Sequence, residues 1–342
     1  MILLTQSFSG CFQADIAAAA RIIAQGGMVA VPTETVYGLA ADALSEDAVR
    51  RIFEAKRRPQ DNPVIVHVAS ADQILPLVTD VPPMAKELIE IFWPGPLTLV
   101  LPKSRLIPDA VCAGLSTVAV RFPSHPVMQK LISAAGLPLA APSANLSGKP
   151  SPTCVAHVLQ DLDGRIDAVI DGGVCQVGVE STVVSFENEE PTLLRPGGIS
   201  LEQLQLVLGK VNIAQAVLQQ MEQGQVPAAP GMKYRHYAPS AKLVLVKGSL
   251  NAFVEFVNQR ADLGVAALCF SGEERGLKVP AVPYGAQDNP QQQAQLLFGA
   301  LRQLDALNCT QIYARCPLAY GPALAVYNRL LRAAEFEVLR LG

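Results

Sequence analysis

Val31-Pro-Thr-Glu-Thr-Val-Tyr-Gly-Leu-Ala40 follows an apolar run, Met28 to Val31, that reads as a strand. Pro32 stops that strand in a loop dense with hydroxyls. Loops at strand ends are where α/β proteins place ligand-binding groups. Thr33, Glu34, Thr35 and Tyr37 cannot all be buried without partners, and Gly38 permits either a close backbone approach or a positive φ. A capped strand-to-helix turn would use the same threonines for local hydrogen bonds, so the stretch alone leaves both readings open.

Working outward, Ala14–Gln25 has helical apolar spacing and stops at Gly26-Gly27. Ser45 caps a second helix, with Glu46 and Asp47 in its first turn, and that helix must end before Pro59. Strand-like runs follow at Val64–Val68, Leu97–Leu101, Val118–Phe122, Leu137–Ala141, Ala168–Ile170 and Thr182–Phe186. Ser200-Leu-Glu-Gln203 is a capping-box pattern. Strands with interspersed helices in one unit predict an α/β or α+β domain on a large sheet over residues 1–208. Residues 209–240 carry a Gln-rich piece and Val226-Pro-Ala-Ala-Pro-Gly-Met-Lys-Tyr-Arg-His-Tyr-Ala-Pro239, whose prolines predict a linker. Residues 241–342 alternate strand and helix, which predicts a small parallel-sheet domain. That part lacks a glycine-rich nucleotide fingerprint and a Walker sequence.

Half of the 342 residues are hydrophobic, 17% are charged and the formal charge is −3. Proteins dominated by phosphate-backbone contacts carry a basic excess, so nucleic acid is not the expected primary ligand. The seven cysteines are scattered, which argues against a disulfide framework. No signal peptide and no apolar run of the ~18 residues a membrane span needs is evident, so a cytoplasmic protein is expected.

Four further constellations carry chemistry. Lys56-Arg57-Arg58-Pro59 closes the Ser45 helix, where cations are favourable in any case; Lys56 and Arg58 could also converge as an anion clamp, with Asn62 beyond them. Strand alternation puts Ile65 and His67 on one face of Val64–Val68, and Thr117, Ala119 and Arg121 on one face of their strand. An arginine there needs a buried carboxylate or an anionic ligand. Leu139-Ala-Ala141-Pro-Ser143-Ala-Asn145-Leu-Ser-Gly-Lys-Pro-Ser151-Pro ends a strand, and Ser151-Pro152 looks like an N-cap with proline at the first helical position, a phosphate-binding arrangement. Gly178-Val-Glu-Ser181 and Arg195-Pro-Gly-Gly add a hydroxyl cluster and another cation. No Ser/His/Asp or Cys/His triad and no zinc site suggests itself, so no protein-held metal is expected. Cations, hydroxyls and amides at strand ends suit phosphate handling.

Taken together, Val31–Gly38, Lys56–Pro59, Ser143–Asn145 and Pro230–Pro239 resemble the long, two-domain form of threonylcarbamoyl-AMP synthase. The resemblance implies an α/β fold, with a YrdC-like twisted open-sheet catalytic domain and a second, smaller Rossmann-like parallel-sheet domain. It implies that L-threonine, bicarbonate and ATP with Mg2+ give threonylcarbamoyl-AMP and pyrophosphate. The product would pass to the tRNA threonylcarbamoyl-transferase machinery, without a stable tRNA complex. By the same resemblance Arg58, Asn62, Thr117, Ser143, Ser151, Arg195 and Tyr234 hold ATP. Thr35, His67, Arg121, Ala141 (through backbone) and Ser181 hold threonine, Lys56 and Asn145 complete the catalytic motif pairs, and the linker with Tyr234 closes as a lid. An RNA-binding module and carbamoyl transfer in protein maturation are the rival expectations.

Overall fold

The computed structural model describes residues 6–8, 13–187, 190–220, 237–261 and 264–342. Strands of the first part are β1 (Gln6–Phe8), β2 (Val29–Val31), β3 (Gly38–Asp42), β4 (Ile65–His67), β5 (Leu97–Pro102), β6 (Thr117–Arg121), β7 (Leu139–Ala140), β8 (Ala168–Ile170), β9 (Thr182–Ser185), β10 (Thr192–Arg195) and β11 (Asn212–Ile213). They form one mixed sheet in the order β1-β8-β2-β3-β7-β4-β6-β5-β9-β10-β11. Its helices are α1 (Gln13–Ala24), α2 (Glu46–Lys56), α3 (Pro83–Phe92), α4 (Asp109–Cys112), α5 (Pro126–Ala135), α6 (Val155–Leu162) and α7 (Leu201–Leu208).

The expected caps are formed. Ser45 accepts from Ala48 N at 3.3 Å, and both halves of the Ser200–Gln203 capping box are present. Arg57 takes the left-handed C-cap conformation, φ 51°, which turns the chain out of α2 before Pro59. One expectation fails. Ser151 is not an N-cap, because α6 begins at Val155 after Cys154, and the Ser151 hydroxyl instead donates to Glu180.

Alternation along the strands sorts the side chains as the sequence predicts. Val64, Val66, Val68, Val118, Val120, Leu97, Leu99 and Leu101 enter the main core, under α2 and α3. Ile65, Ala119 and Val100 belong to a small cluster on the opposite face, with Val183 and Leu194. His67 and Arg121, level in the parallel register of β4 and β6, share that second face.

The second part has β12 (Lys242–Lys247), β13 (Val265–Cys269), β14 (Ala281–Pro283), β15 (Gln311–Arg315) and β16 (Val338–Arg340), with α8 (Leu250–Asn258), α9 (Pro290–Ala306) and α10 (Ala323–Ala333). All its strand pairs are parallel, in the order β14-β13-β15-β12-β16. The layered parallel build is Rossmann-like, but β15 lies between β12 and β13, which departs from the dinucleotide-binding strand order. Helix α8 packs on one face, and α9 and α10 cover the other. The α9–α10 core also takes in Val36 and Val179 of the first part, so it is continuous across the junction. Gly178, φ 79°, lies so close to α9 that a Cβ there would fall 2.3 Å from Gln295 Cα.

Candidate active site

A cleft opens on the second face of the mixed sheet, where the loops after β2, α2 and β7 meet the start of β9 and the end of β10. Its lining includes every residue assigned above to ATP, to threonine or to catalysis except Asn62, Thr117 and Tyr234. Tyr234 lies outside the described residues. Asn62 is buried with both polar side-chain atoms unpaired among the described residues, and Thr117 starts β6 at the far end from Arg121. The structure brings these two to one end of β4 and β6 but not to the cleft wall.

The threonine-rich loop is held by its own hydroxyls. Thr33 Oγ1 donates to Val36 O at 2.6 Å and lies 2.8 Å from Thr35 Oγ1, which in turn accepts from Arg121 Nη1 at 3.0 Å. The backbone of this loop is sewn to the β7 loop: Tyr37 N donates to Pro152 O, Leu39 N to Pro142 O, and Ala144 N to Tyr37 O. Gly38 serves the close approach and not a positive φ, since a Cβ there would lie 3.2 Å from the Ala141 Cβ.

Arg121 is buried, and its partners are a carboxylate and neutral acceptors. Nη2 lies 2.7 Å from Glu34 Oε1, and Nε donates to Gly95 O at 3.3 Å. The Glu34 contact is an ion pair without an aligned hydrogen bond, so charge more than geometry joins the two. Burial alone would raise the Glu34 carboxyl, yet Arg121 holds it below its ordinary value. His67, two residues along β4 from Ile65, has its Nδ1 3.2 Å from Ile65 O. Burial first, and then the Arg121 charge, push the imidazole down to about 3, so it is neutral at physiological pH.

The cations divide into two roles. One of the two readings left open for Lys56 pairs it with Arg58 as an anion clamp. Instead its ammonium, 2% exposed, donates to the backbone carbonyls of Ser143 and Asn145. Burial and the neighbouring Arg58 hold it well below the ordinary lysine value, so Lys56 ties the β7 loop to α2. Arg58 Nη2 donates to Asn62 O at 3.0 Å and Pro63 O at 2.8 Å, leaving the guanidinium at the cleft with burial lowering it to about 10. Arg195 donates from Nε to Ser181 O and from Nη2 to Ser181 Oγ, each at 3.1 Å, and the Ser181 hydroxyl also lies 2.7 Å from Thr98 Oγ1. Asn145 donates to Leu146 O and Lys149 O, which fixes the curl of the loop, while its Oδ1 is unpaired among the described residues.

Sequence reasoning missed Glu180 and Tyr237 as site residues. Glu180 accepts from Ser151 Oγ and, at 2.7 Å, from Arg329 Nε of α10. Burial opposes its ionisation, but Arg329 and Arg195 keep it below the ordinary carboxylate value. Glu180 stands beside Ser181 in a stretch already marked for its hydroxyls, and a charge entering a buried strand was the available signal. Tyr237 stacks on Phe298 of α9, with ring centroids 5.2 Å apart, and Ala238 N donates to Gly148 O at 3.1 Å. Glu180 on the cleft wall and Glu34 beside Arg121 are thus both paired with arginines. Among the described residues no group of three His, Cys, Asp or Glu side chains could hold a metal ion.

Residues 21–197 match the family described as "Telomere recombination", and residues 199–335 the threonylcarbamoyl-AMP synthase C-terminal domain family. A threonylcarbamoyl-AMP synthase of Pyrococcus abyssi is 45% identical over 332 residues, covering 94% of this chain and 95% of the relative. The chain belongs to the threonylcarbamoyl-AMP synthase family. The Bacillus subtilis member is likewise 45% identical, over 95% of this chain and 94% of its own length. The crystal structure of P. abyssi Sua5 complexed with L-threonine superposes with a TM-score of 0.91 at 42% identity, covering 99% of this chain and 100% of that one. The two matched regions together reach from within α1 to the end of α10 and so take in every strand of both sheets except β1 and β16.

Proposed function

We infer that this chain is an L-threonylcarbamoyladenylate synthase, a nucleotidyltransferase that joins L-threonine, bicarbonate and ATP into threonylcarbamoyl-AMP with release of pyrophosphate. The observation that carries this reading is the meeting, in one cleft, of Arg121 with Thr35 and neutral His67 on one side and of Arg58, Arg195 and the Ser143–Ser151 loop on the other. Arg121 suits the carboxylate of an amino acid, and the second group suits a nucleotide. The nucleophile is the carboxylate of N-carboxythreonine, already an anion, so the attack on the α-phosphorus needs no protein base. A buried neutral histidine and two paired carboxylates accord with that. Catalysis then consists of alignment and charge neutralisation.

Mg2+ enters with the nucleotide in this reading, since Glu180 of the cleft wall is committed to Arg329 and the nearby Glu34 to Arg121. The full-length relatives that bear the synthase name favour this assignment over an RNA-binding or protein-maturation role. No helix of the described residues is long and apolar enough to cross a membrane, and the described cysteines are unpaired, which supports a cytoplasmic site of action. Delivery of the product to a tRNA-modifying transferase completes the proposal.

Pyrophosphate release from MgATP tests it. Activity is expected only with threonine and bicarbonate together, and serine should be slower by the ~1–3 kcal/mol that one methyl group supplies. Equal rates without either component would overturn the reading.

A further inference from the structure

Two arginines of the C-terminal sheet's helices act on adjacent residues of the cleft loop, Arg302 directly at Pro150 and Arg329 through Glu180 at Ser151. Arg302 of α9 donates from Nη2 to Pro150 O at 2.6 Å and to Asp161 Oδ2 at 2.7 Å, and from Nη1 to Gln160 Oε1 at 2.9 Å. Arg329 of α10, fully buried, donates to Glu180 Oε2, and the other Glu180 oxygen accepts the Ser151 hydroxyl proton. Arg329 is itself fixed, because its Nη1 donates to Asn328 Oδ1 at 2.8 Å while Asn328 Nδ2 donates to Val217 O at 2.7 Å. Glu180 and Ser151 line the cleft, whereas Arg329 and Arg302 stand behind it.

The chemistry of this chain of contacts is directional. A serine hydroxyl has one proton, and here Glu180 takes it. Ser151 Oγ therefore has only lone pairs to offer a ligand, which fits a donor such as a ribose hydroxyl or the adenine amino group and not a phosphate oxygen. An unpaired Glu180 in this buried place would protonate or turn away, and the hydroxyl would rotate.

We propose that Arg329 is a positioning residue for the nucleotide: through Glu180 it orients Ser151 as a hydrogen-bond acceptor toward a donor group on the nucleoside. This rests on the synthase reading above. It gives the C-terminal domain a defined part in the site, since the first domain alone would have Arg195 near Glu180 but not the guanidinium that hydrogen-bonds to Glu180 Oε2.

A double-mutant cycle on the full-length chain tests the proposal, with the KM values for ATP and threonine as readouts and circular dichroism as the check on folding. Arg329→Met is expected to raise the KM for ATP about tenfold and to leave that for threonine within about twofold. In a Ser151→Ala background the same change should add almost nothing, because the group it acts through is gone. Arg329→Lys, which keeps the charge, should restore part of the ATP affinity and replaces Arg329→Met in the cycle if the latter does not fold. Additive effects in the cycle, or parallel losses for both substrates, would make Arg329 a purely structural contact and overturn the proposal. The unaltered chain separates the two levels of failure. If it releases pyrophosphate from MgATP with threonine and bicarbonate while the cycle is additive, only the positioning role falls; if it is inactive with MgATP, threonine and bicarbonate together, the synthase reading falls.

Discussion

Arg121, on the cleft wall, meets Glu34 at 2.7 Å, their side chains 4% and 7% exposed. Burying two such charges costs several kcal/mol per ion, offset only while they remain together. A substrate carboxylate arriving at Arg121 therefore shares a guanidinium already facing a carboxylate, and Thr35 supplies the hydroxyl that keeps the arginine aimed.

Glu34→Gln should consequently separate stability from binding. Removing one partner of the buried pair is expected to destabilise the chain by about 3 kcal/mol, read as a lower urea midpoint with an unchanged m-value. Arg121 would then face the ligand with less compensation, so saturating threonine should raise the melting temperature more than it does for the original chain. An equal or smaller rise would mean that Glu34 helps to hold the amino acid, for instance by accepting from its amino group.

Arg121→Lys and Arg58→Ala should act on opposite substrates. Lysine keeps the charge of Arg121 but loses the planar fork, so the KM for threonine should rise about tenfold or more with that for ATP little changed. Arg58→Ala should reverse the pattern. Matching losses of both substrates in both variants would show that the cleft is not divided as proposed.

The fold and the cleft were legible where a local rule decides them. Period-two alternation placed His67 and Arg121 each opposite the apolar face of its own strand, because half-buried strands admit only two sides, and the β4–β6 register then sets them side by side. Caps located α2 and α7 for the same kind of reason. Short strands such as β14 and β16 carry too few residues for a pattern, and β3 hides in the loop because Gly38–Asp42 is too small and uniform to show one. Ser151-Pro152 misled, because a proline that suits a helix start also suits an extended loop, and only the distant Glu180 decides what Ser151 does. Arg302 and Arg329 were invisible as site residues. On an amphipathic helix they read as solvated charges, and their burial depends on a partner about 140 residues away in sequence.

Lys56 should behave as a structural tie. Lys56→Met leaves the Ser143 and Asn145 carbonyls without their donor, at about 1–3 kcal/mol for each buried acceptor, partly relieved by removing a buried charge. The expected result is a lower melting temperature with faster amide exchange at residues 143–149. Lys56→Arg should not restore either, since the larger head does not fit the enclosed site. Full rescue by arginine would show that positive charge toward the substrate, and not the loop tie, is what Lys56 provides.

His67 should make stability depend on pH in a window set by its two states. In the fold it titrates near 3, against an ordinary value of 6.5 when the chain is unfolded. Between those values the unfolded state binds a proton that the folded state does not, so stability rises with pH across the window and is lost on acidification. The stabilisation is complete above the unfolded value and falls as the pH drops from about 6.5 toward 3. For one such group the loss between pH 7 and pH 5 is about 2 kcal/mol. His67→Gln removes the titrating group and should flatten the urea midpoint over that range, even if the variant is less stable at pH 7. A slope from pH 7 to 5 as steep as that of the original chain would show that other groups, such as His157, also lowered by burial, to about 4, account for the acid limb. Because the buried imidazole is already neutral at pH 6, threonine affinity measured from pH 6 to 8 should show no step from this residue, and such a step, abolished by His67→Gln, would contradict the neutral state that the cleft imposes.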